Sequence, residues 1–471
     1  MGTIADKLLY LDDTKQLLRQ AINGIGGGLS ADDPFRRYAG ELLRDQSTLR
    51  LDFDQGVYGV GPHPYVRDDG KSFSDLITFT RSTGGGRFNQ FGLYEWVAAD
   101  VPRIDHDPAT LGSSTDSITL GYGIMTINTD YEYPVGESVV VSYDASNYMI
   151  GKVLGSSATA VTLNVVTVVG SGTYSEWTLI VRLGLLVEES RTNLVLYSDA
   201  FDNAAWAKFG LSVTTDAANS PEGTFTADKI TPFNGAALSG SYAVQAGIAK
   251  PSGAVVTFSV FAKSDGFDRA TILIQNSATA SDRVVFSVSL TTGQVVSSLN
   301  YGNYSVLSSH VSPIPDDWYR IAISIQTSTE AAVSTRLYAV DSVASAGDGS
   351  SGIFIWGAQL EVGSFPTSCI PTTAAAVTRA ADLTSRTLGS EYNPAEGTLI
   401  VTAKAPAVGD TIASLGSASI TSDSVAEKTY AATYSTSNPA TVLELNPNAT
   451  FSEIRYIPRV LTSEELQAIT Q

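Results

Sequence analysis

The 471-residue sequence has a single cysteine, Cys369, and three histidines. One cysteine cannot form an intramolecular disulfide or a thiolate metal site, and its apolar neighbour Ile370 favours a small buried side chain. The histidines His63, His106 and His310 are widely separated and do not show the spacing of metal ligands. These shortages argue against a disulfide framework and against a cysteine- or histidine-based metal centre.

Positive charge and long apolar runs are also scarce. The 29 Lys and Arg residues face 48 Asp and Glu residues, which gives a formal net charge of −19. Such acidity disfavours contact with nucleic acid or with anionic membrane surfaces. No apolar run reaches the roughly 18 residues of a membrane span, and Met1–Tyr10 lacks the features of a secretion signal. We therefore expect no nucleic-acid partner, no membrane insertion, and synthesis in a cytoplasm.

Short runs rich in Val, Thr, Tyr and Ser, separated by Gly and Asn, make up most of the sequence. These runs predict a mainly β, multi-domain fold of antiparallel β-sandwiches of the jelly-roll or lectin-like kind, with a short helical N-terminal segment. Several domains are expected because a single core stops growing at about 250–300 residues. The predicted segments are 1–45, helical; 46–112, β-rich and packed with the later sandwich; 113–181, an inserted small β-domain; 182–387, a jelly roll; and 388–471, a short lectin-like β-region with a terminal helix.

The clearest helical pattern in the sequence lies in residues 1–45. Their apolar residues follow a heptad seam through Ile4, Leu8, Leu11, Leu18 and Ile22. A seam of fewer than three heptads is marginal alone, so we predict that this segment docks on other subunits or supports oligomerisation. A helical hairpin packed on its own chain is the alternative. At the other end, Thr462 and Glu465 form the pattern of a capping box.

Signals of enzymatic chemistry are weak. The sequence has no HExxH, GxSxG, phosphate-loop or dinucleotide motif. The triplet Asp105-His106-Asp107 could orient an imidazole, but its flanking prolines favour a solvated turn. The adjacent pair Glu188-Glu189 would point to opposite faces of a strand, so it does not supply the two facing carboxyls of a glycosidase. We therefore predict no catalytic residue.

Aromatic residues offer a better route to function, because a flat ring can stack on the C–H face of a sugar. Trp206 and Trp318 follow turn-like polar stretches and are the candidate carbohydrate-binding residues, with a structural plug as the alternative for each. Trp177 and Trp356 lie within strand-like runs and are expected in the core.

The acidic excess would also permit a structural Ca²⁺ held by carboxylates. Asp228 and Glu361 are the candidate ligands, although no EF-hand-type loop accompanies them. Solvated acids are the alternative, and no other cofactor is expected.

Several motifs resemble one protein family. They are Leu-Leu-Val-Glu-Glu-Ser-Arg-Thr-Asn at 185–193, Ile-Trp-Gly-Ala-Gln-Leu-Glu-Val-Gly at 355–363, Val-Thr-Arg-Ala-Ala-Asp at 377–382 and Val-Pro-Arg-Ile-Asp-His-Asp-Pro at 101–108. Together with weaker matches near both ends, they resemble tailed-phage fibre, spike and minor structural proteins, including head-spike-type proteins of phage-like gene transfer agents. The resemblance implies that 182–387 is similar to a carbohydrate-binding-module jelly roll and that 1–45 attaches to the particle. It implies no catalytic residues.

The chain departs from the family pattern in two places. Residues 113–181 separate two motifs that usually almost adjoin, which predicts an inserted module. The stretch between Gly397 and Ile454 is also short for a lectin-like sandwich. That sandwich is therefore expected to be vestigial, or complete only within an oligomer.

These observations predict a non-enzymatic fibre or spike on the surface of a virion or phage-like particle. Its expected partners are other particle proteins, through residues 1–45, host surface glycan and further copies of the same chain. The acidic surface would repel an acidic capsule, so any sugar binding must come from local aromatic and polar groups. The alternatives are a purely structural baseplate or capsid decoration protein and a capsule-degrading glycosidase.

Overall fold

The computed structural model describes residues 49–53, 57–60, 76–91, 93–341, 344–389, 391–405, 407–435 and 442–470. The predicted helical segment 1–45 lies outside these residues. Antiparallel strands dominate the described chain, which confirms the predicted mainly β class of antiparallel sandwiches. No helix among the described residues is long and apolar enough to span a membrane.

Thirteen strands form within the described part of residues 49–187. The upstream strands are β1 (Leu49–Asp52), β2 (Val57–Val60), β3 (Thr78–Thr80), β4 (Gly85–Phe88), β5 (Tyr94–Val97) and β6 (Arg103–Ser114). The next group is β7 (Ile118–Thr119), β8 (Gly123–Asn128), β9 (Ser138–Asp144), β10 (Asn147–Ser157), β11 (Ala160–Val169), β12 (Thr173–Tyr174) and β13 (Trp177–Val187). Trp177 is buried at the centre of the core that β8 to β13 enclose, as expected for a tryptophan within a strand.

The region predicted as a jelly roll contains fifteen strands. They are β14 (Arg191–Asn193), β15 (Ala207–Phe209), β16 (Leu211–Ala218), β17 (Ala227–Pro232), β18 (Tyr242–Ala249), β19 (Val255–Asp265), β20 (Arg269–Asn276), β21 (Arg283–Ser289), β22 (Val295–Tyr301), β23 (Ser305–Ile314), β24 (Trp318–Gln326), β25 (Ala332–Val340), β26 (Gly352–Val362), β27 (Val377–Arg379) and β28 (Leu383–Thr387). A 3₁₀ turn spans Leu238–Gly240.

Two six-stranded antiparallel sheets of this region pack face to face. The first jelly-roll sheet has the order β15-β18-β25-β20-β21-β22, and the second has the order β16-β17-β26-β19-β24-β23. Apolar residues alternate with other residues along the strands, so each sheet turns one apolar face inward. Ile272 and Phe286 from the first sheet share one core with Phe258 and Ile323 from the second.

The last elements are β29 (Gly397–Lys404), β30 (Thr411–Leu415), β31 (Ala418–Thr421), β32 (Lys428–Tyr434), β33 (Val442–Leu445), β34 (Ala449–Ile457) and helix α1 (Ser463–Thr470). The predicted capping box is confirmed at the start of α1. The Thr462 backbone N–H donates to the Glu465 carboxylate at 2.8 Å, and the Glu465 N–H donates to the Thr462 hydroxyl at 3.2 Å.

Upstream strands of the same chain complete the C-terminal sandwich. Strand β1 pairs with β34 on one side and β2 on the other, and β3 pairs with β28 in a five-stranded sheet with β33, β30 and β31. Leu51 from β1 shares a buried core with Val401 and Phe451. The short region after Gly397 therefore gains strands from residues that precede the jelly roll. Strand β13 pairs with both β34 and β9, so the inserted strands continue the same large sheet.

Candidate functional site

The two predicted sugar-binding tryptophans lie in the protein interior. Trp206 is 0% exposed, its ring packs 5.0 Å from that of Phe201, and its Nε1–H donates to the Tyr197 carbonyl at 3.0 Å. Trp318 is 1% exposed and donates to the Asn219 carbonyl at 3.2 Å. A sugar platform needs an exposed ring face, so the assignment of both residues as sugar ligands is wrong, and the structural-plug alternative holds.

The candidate calcium ligands accept hydrogen bonds from the protein itself. Asp228 accepts from the backbone N–H groups of Phe201 at 2.8 Å and Asp216 at 3.1 Å, and burial raises its pKa to about 6. Glu361 is fully buried and accepts from the Thr367 N–H at 3.0 Å. Both carboxylates are buried and accept hydrogen bonds from backbone N–H groups. The alternative of solvated acids is therefore wrong for both. Within the described ranges, no group of three or more His, Cys, Asp or Glu side chains could hold a metal.

The segment around His106 is a strand and not the expected solvated turn. His106 lies on β6, is buried, and places Nδ1 3.1 Å from the Phe88 carbonyl oxygen. Burial lowers the pKa of His106 to about 3, with a smaller contribution from the nearby Arg182 charge. The imidazole is therefore held neutral as part of the contact between β6 and β4.

The family-like motifs meet in a buried network of charges. The Arg103 guanidinium contacts the carboxylates of both Glu188 and Asp382, and Arg81 lies 2.8 Å from Asp382. Arg379 lies 3.4 Å from Glu188. Burial alone would raise the pKa of Glu188, but the charges of Arg379 and Arg103 hold it well below its usual range. This network ties the two ends of the jelly roll to the upstream strands.

Upstream residues cover part of the outer face of the second jelly-roll sheet. Tyr94 packs edge-on against Trp356, with ring centroids 5.8 Å apart, and its hydroxyl donates to the Cys369 carbonyl at 2.7 Å. Cys369 and Trp356 are buried there, as the sequence predicts. This arrangement leaves the outer face of the first jelly-roll sheet pointing the other way. We call that surface, formed by the outward side chains of β15, β18, β25, β20, β21 and β22, the open face.

A row of aromatic rings crosses one side of the open face. Phe209 lies opposite Tyr242 across β15 and β18, and their ring centroids are 5.0 Å apart. The Tyr242 and Tyr338 rings follow at 5.2 Å. The Arg336 guanidinium lies 4.6 Å from the centre of the Tyr242 ring, and its Nη1 lies 3.4 Å from the Tyr338 hydroxyl. Strand pairing thus builds a continuous surface of rings topped by a cation.

The open face is deepest along its middle strand. On β20, Leu273 is 5% exposed and Gln275 is 8% exposed, although both point away from the core residues Ile272 and Ile274. At the margins, Phe209 is 49% exposed and Tyr301 is 39% exposed. We call this less exposed surface over β20, between the aromatic residues at the two margins, the trough.

The floor of the trough carries an amide without a partner. Gln275 lies between Ser334 on β25 and Arg283 on β21 in the strand register. Its side chain makes no hydrogen bond to any residue that the structure describes, and its amide atoms still reach solvent. Arg283 lies over the Tyr301 ring, with the guanidinium carbon 4.2 Å from the ring centre. The trough therefore offers both a free amide and two guanidinium groups to a bound molecule.

Sequence reasoning missed this surface for a definite reason. Its residues come from six strands spread over 207–301 and 332–340, and only the sheet order brings them together. The available signal was the alternation in β25, where Arg336 and Tyr338 alternate with the apolar residues Leu337 and Ala339. Such alternation identifies an outward face but does not identify its neighbours.

Comparisons with known proteins add little to this geometry. No protein-family model matches the chain, and no curated protein does. One similar solved structure is that of the CBM22-1-GH10 modules of Clostridium thermocellum endo-1,4-beta-D-xylanase 10B complexed with xylohexaose, at 13% identity and TM-score 0.20, covering 37% of this chain and 28% of that one. Another is the CBM22-1-CBM22-2 tandem domain of Paenibacillus barcinonensis Xyn10C, at 8% identity and TM-score 0.23, covering 59% of this chain and 95% of that one. These TM-scores are too low to establish a shared fold.

Proposed function

We propose that this chain is a non-enzymatic fibre or spike protein on the surface of a virion or phage-like particle, and that its open face binds host polysaccharide. The particle role rests on the family resemblance of the motifs. The binding role rests on one observation, the contiguous row of the Phe209, Tyr242 and Tyr338 rings, of which Phe209 is exposed, Tyr242 half-buried and Tyr338 buried, beside a trough that holds the unpartnered Gln275 amide.

The chemistry of the open face suits a sugar. The aromatic rings supply flat apolar surface for the C–H groups of a pyranose. The Gln275 amide lies beside that surface and can exchange hydrogen bonds with the hydroxyl rim. An extended polymer lying across the strands would place one sugar on the rings and others over β20 and β21.

Attachment and multivalency complete the proposal. Residues 1–45 dock on other particle proteins, and several copies of the chain act together. A single shallow sugar site binds weakly, but linked copies raise the effective concentration of the remaining sites after the first contact. The particle would then hold a cell surface through many weak contacts.

The direct test measures binding of the full chain to a glycan array and to purified capsule, with Tyr242→Ala as the site variant. We expect the variant to lose roughly five- to tenfold in affinity, because one stacking surface is removed. Tyr122→Ala is the matched control, since Tyr122 is a 56% exposed tyrosine in the inserted segment. It should bind as the unmodified protein does.

Three outcomes would contradict the proposal. No binding to any glycan by the assembled oligomer would favour the purely structural role in a baseplate or capsid decoration. Release of reducing ends from the capsule would favour the glycosidase. Equal losses in Tyr242→Ala and Tyr122→Ala would place binding elsewhere than the open face.

A further inference from the structure

The first jelly-roll sheet differs in charge from the rest of this acidic chain. Its six strands contain no Asp or Glu, and their four basic residues are Lys208, Arg269, Arg283 and Arg336. The six strands of the second sheet contain four acidic residues, Asp216, Asp228, Asp265 and Glu361, and three basic ones, Lys229, Lys263 and Arg320. A protein of net charge −19 thus places a purely cationic sheet under its open face.

Two of these arginines lack a carboxylate partner. No Asp or Glu of the described chain lies within ion-pair distance of Arg336 or Arg283, whereas Arg269 lies 3.9 Å from Asp268. The Arg336 Nε is buried and makes no hydrogen bond to the described residues. Arg283 uses Nη1 to reach the Ala280 carbonyl at 3.1 Å. Both guanidinium groups are held against tyrosine rings and not by an anion.

From these observations we infer that the open face selects an acidic polysaccharide whose sugars carry carboxylates, and that Arg336 and Arg283 are the residues that select it. This inference rests on the proposed function and names the ligand class of the same site. A guanidinium fork matches a carboxylate with two parallel hydrogen bonds, and it is always charged.

The net negative charge of the chain does not oppose this binding at short range. At 0.1 M salt, exposed charges more than about 10 Å apart are largely screened from each other. A carboxylate in the trough therefore interacts mainly with the nearby guanidinium groups. The expectation from composition, that the acidic surface repels acidic capsule, therefore does not extend to this face.

The test compares polygalacturonate with its carboxyl-reduced form, which keeps the sugar chain and removes the charge. Affinity of the full-length protein for each polymer is measured at 50 and 500 mM NaCl. We expect tighter binding of polygalacturonate and a loss of binding at high salt. Arg336→Gln and Arg283→Gln should each weaken polygalacturonate binding by about tenfold and change binding of the reduced polymer little. Lys263→Gln, on the second sheet, is the control and should bind both polymers as before.

The outcomes separate this inference from the proposed function. Equal or tighter binding of the reduced polymer, without a salt effect, would overturn the selection of acidic sugars and leave the sugar-binding role in place. If both polymers and a wider glycan array fail to bind, the proposed function falls and the inference falls with it. Preference for polygalacturonate that both arginine variants retain would show that other residues select the charge.

Discussion

At the scale of single residues, the buried charges explain why the recognisable motifs look as they do. The Asp382 carboxylate forms ion pairs with Arg81 and Arg103, and all three side chains are fully buried and shielded from water. Desolvating a charge costs several kcal/mol, which only a close partner can offset. The charged residues of these motifs thus join the jelly roll to the upstream strands.

Substitution of Asp382 tests this network. Asp382→Asn keeps the shape but removes the negative charge, which leaves two guanidinium groups short of a partner. We expect the free energy of unfolding in urea to fall by about 3–5 kcal/mol. Asp423→Asn is the control, because Asp423 pairs with Lys428 on the exposed surface and should contribute at most about 1 kcal/mol. Similar losses in both variants would show that the buried network is not specially stabilising.

His106 predicts a distinct pH dependence. Its pKa is lowered to about 3 in the folded protein and returns to the ordinary 6.5 on unfolding. Below pH 6.5 the unfolded chain therefore binds a proton at His106, whereas the folded chain does not. The contribution of His106 to the free energy of unfolding is therefore complete above pH 6.5 and falls as the pH decreases towards 3. Between pH 7 and pH 5 the loss should be about 2 kcal/mol.

The measurement compares the urea unfolding of the unmodified protein and His106→Gln at pH 7 and pH 5. The unmodified protein should lose more stability than the variant over this interval, by the amount attributed to His106. Other titrating groups are common to both proteins and cancel in the difference. Parallel pH profiles would contradict a neutral buried imidazole.

At the scale of elements, local patterns and long-range pairing differ in how far they could be predicted. The capping box at Thr462 and the strand at Gly397–Lys404 follow from residues close together in sequence. The pairing of β1 with β34 joins residues about 400 positions apart, such as Leu51 and Ile454. A strand of four residues does not specify a partner by its own sequence, because many partners satisfy the same alternation. The C-terminal sandwich therefore looked incomplete until the topology was known.

Substitution in β1 tests whether this strand supports the sandwich. Leu51 is fully buried in the core that β34 also lines, so Leu51→Ala should cost about 2–5 kcal/mol. Hydrogen exchange should accelerate in β34 and β29, the strands joined to β1 in the sheet. Leu307→Ala, at an exposed leucine of β23, should leave these amides protected as before. Unchanged exchange in Leu51→Ala would mean that β1 is dispensable for the sandwich.

At the scale of the whole molecule, the fold separates the covered side of the jelly roll from its open face. One jelly-roll sheet packs against the upstream strands through Tyr94 and Trp356, and the other presents the open face on the opposite side. Sequence composition predicted the class of sandwich. The net charge of −19 describes the whole chain, so it could not reveal that one sheet carries only basic residues. The aromatic residues that sequence reasoning selected, Trp206 and Trp318, proved to be core because a large ring beside a polar turn can point inward as readily as outward.

This separation predicts opposite behaviour for two single variants of the same protein. Asp382→Asn should lower the free energy of unfolding but leave the affinity of the remaining folded protein for polysaccharide unchanged, since the network lies at the covered side of the jelly roll. Arg336→Gln should lower the affinity for acidic polysaccharide and change stability by less than about 1 kcal/mol, because Arg336 lies on the outer face without an ion-pair partner among the described residues. Urea unfolding and polysaccharide binding are measured on both variants. Asp382→Asn should show the loss of stability only, and Arg336→Gln should show the loss of affinity only. A proportional loss of affinity in Asp382→Asn would instead mean that the junction shapes the open face, because the two sheets share one close-packed core through which strain can pass.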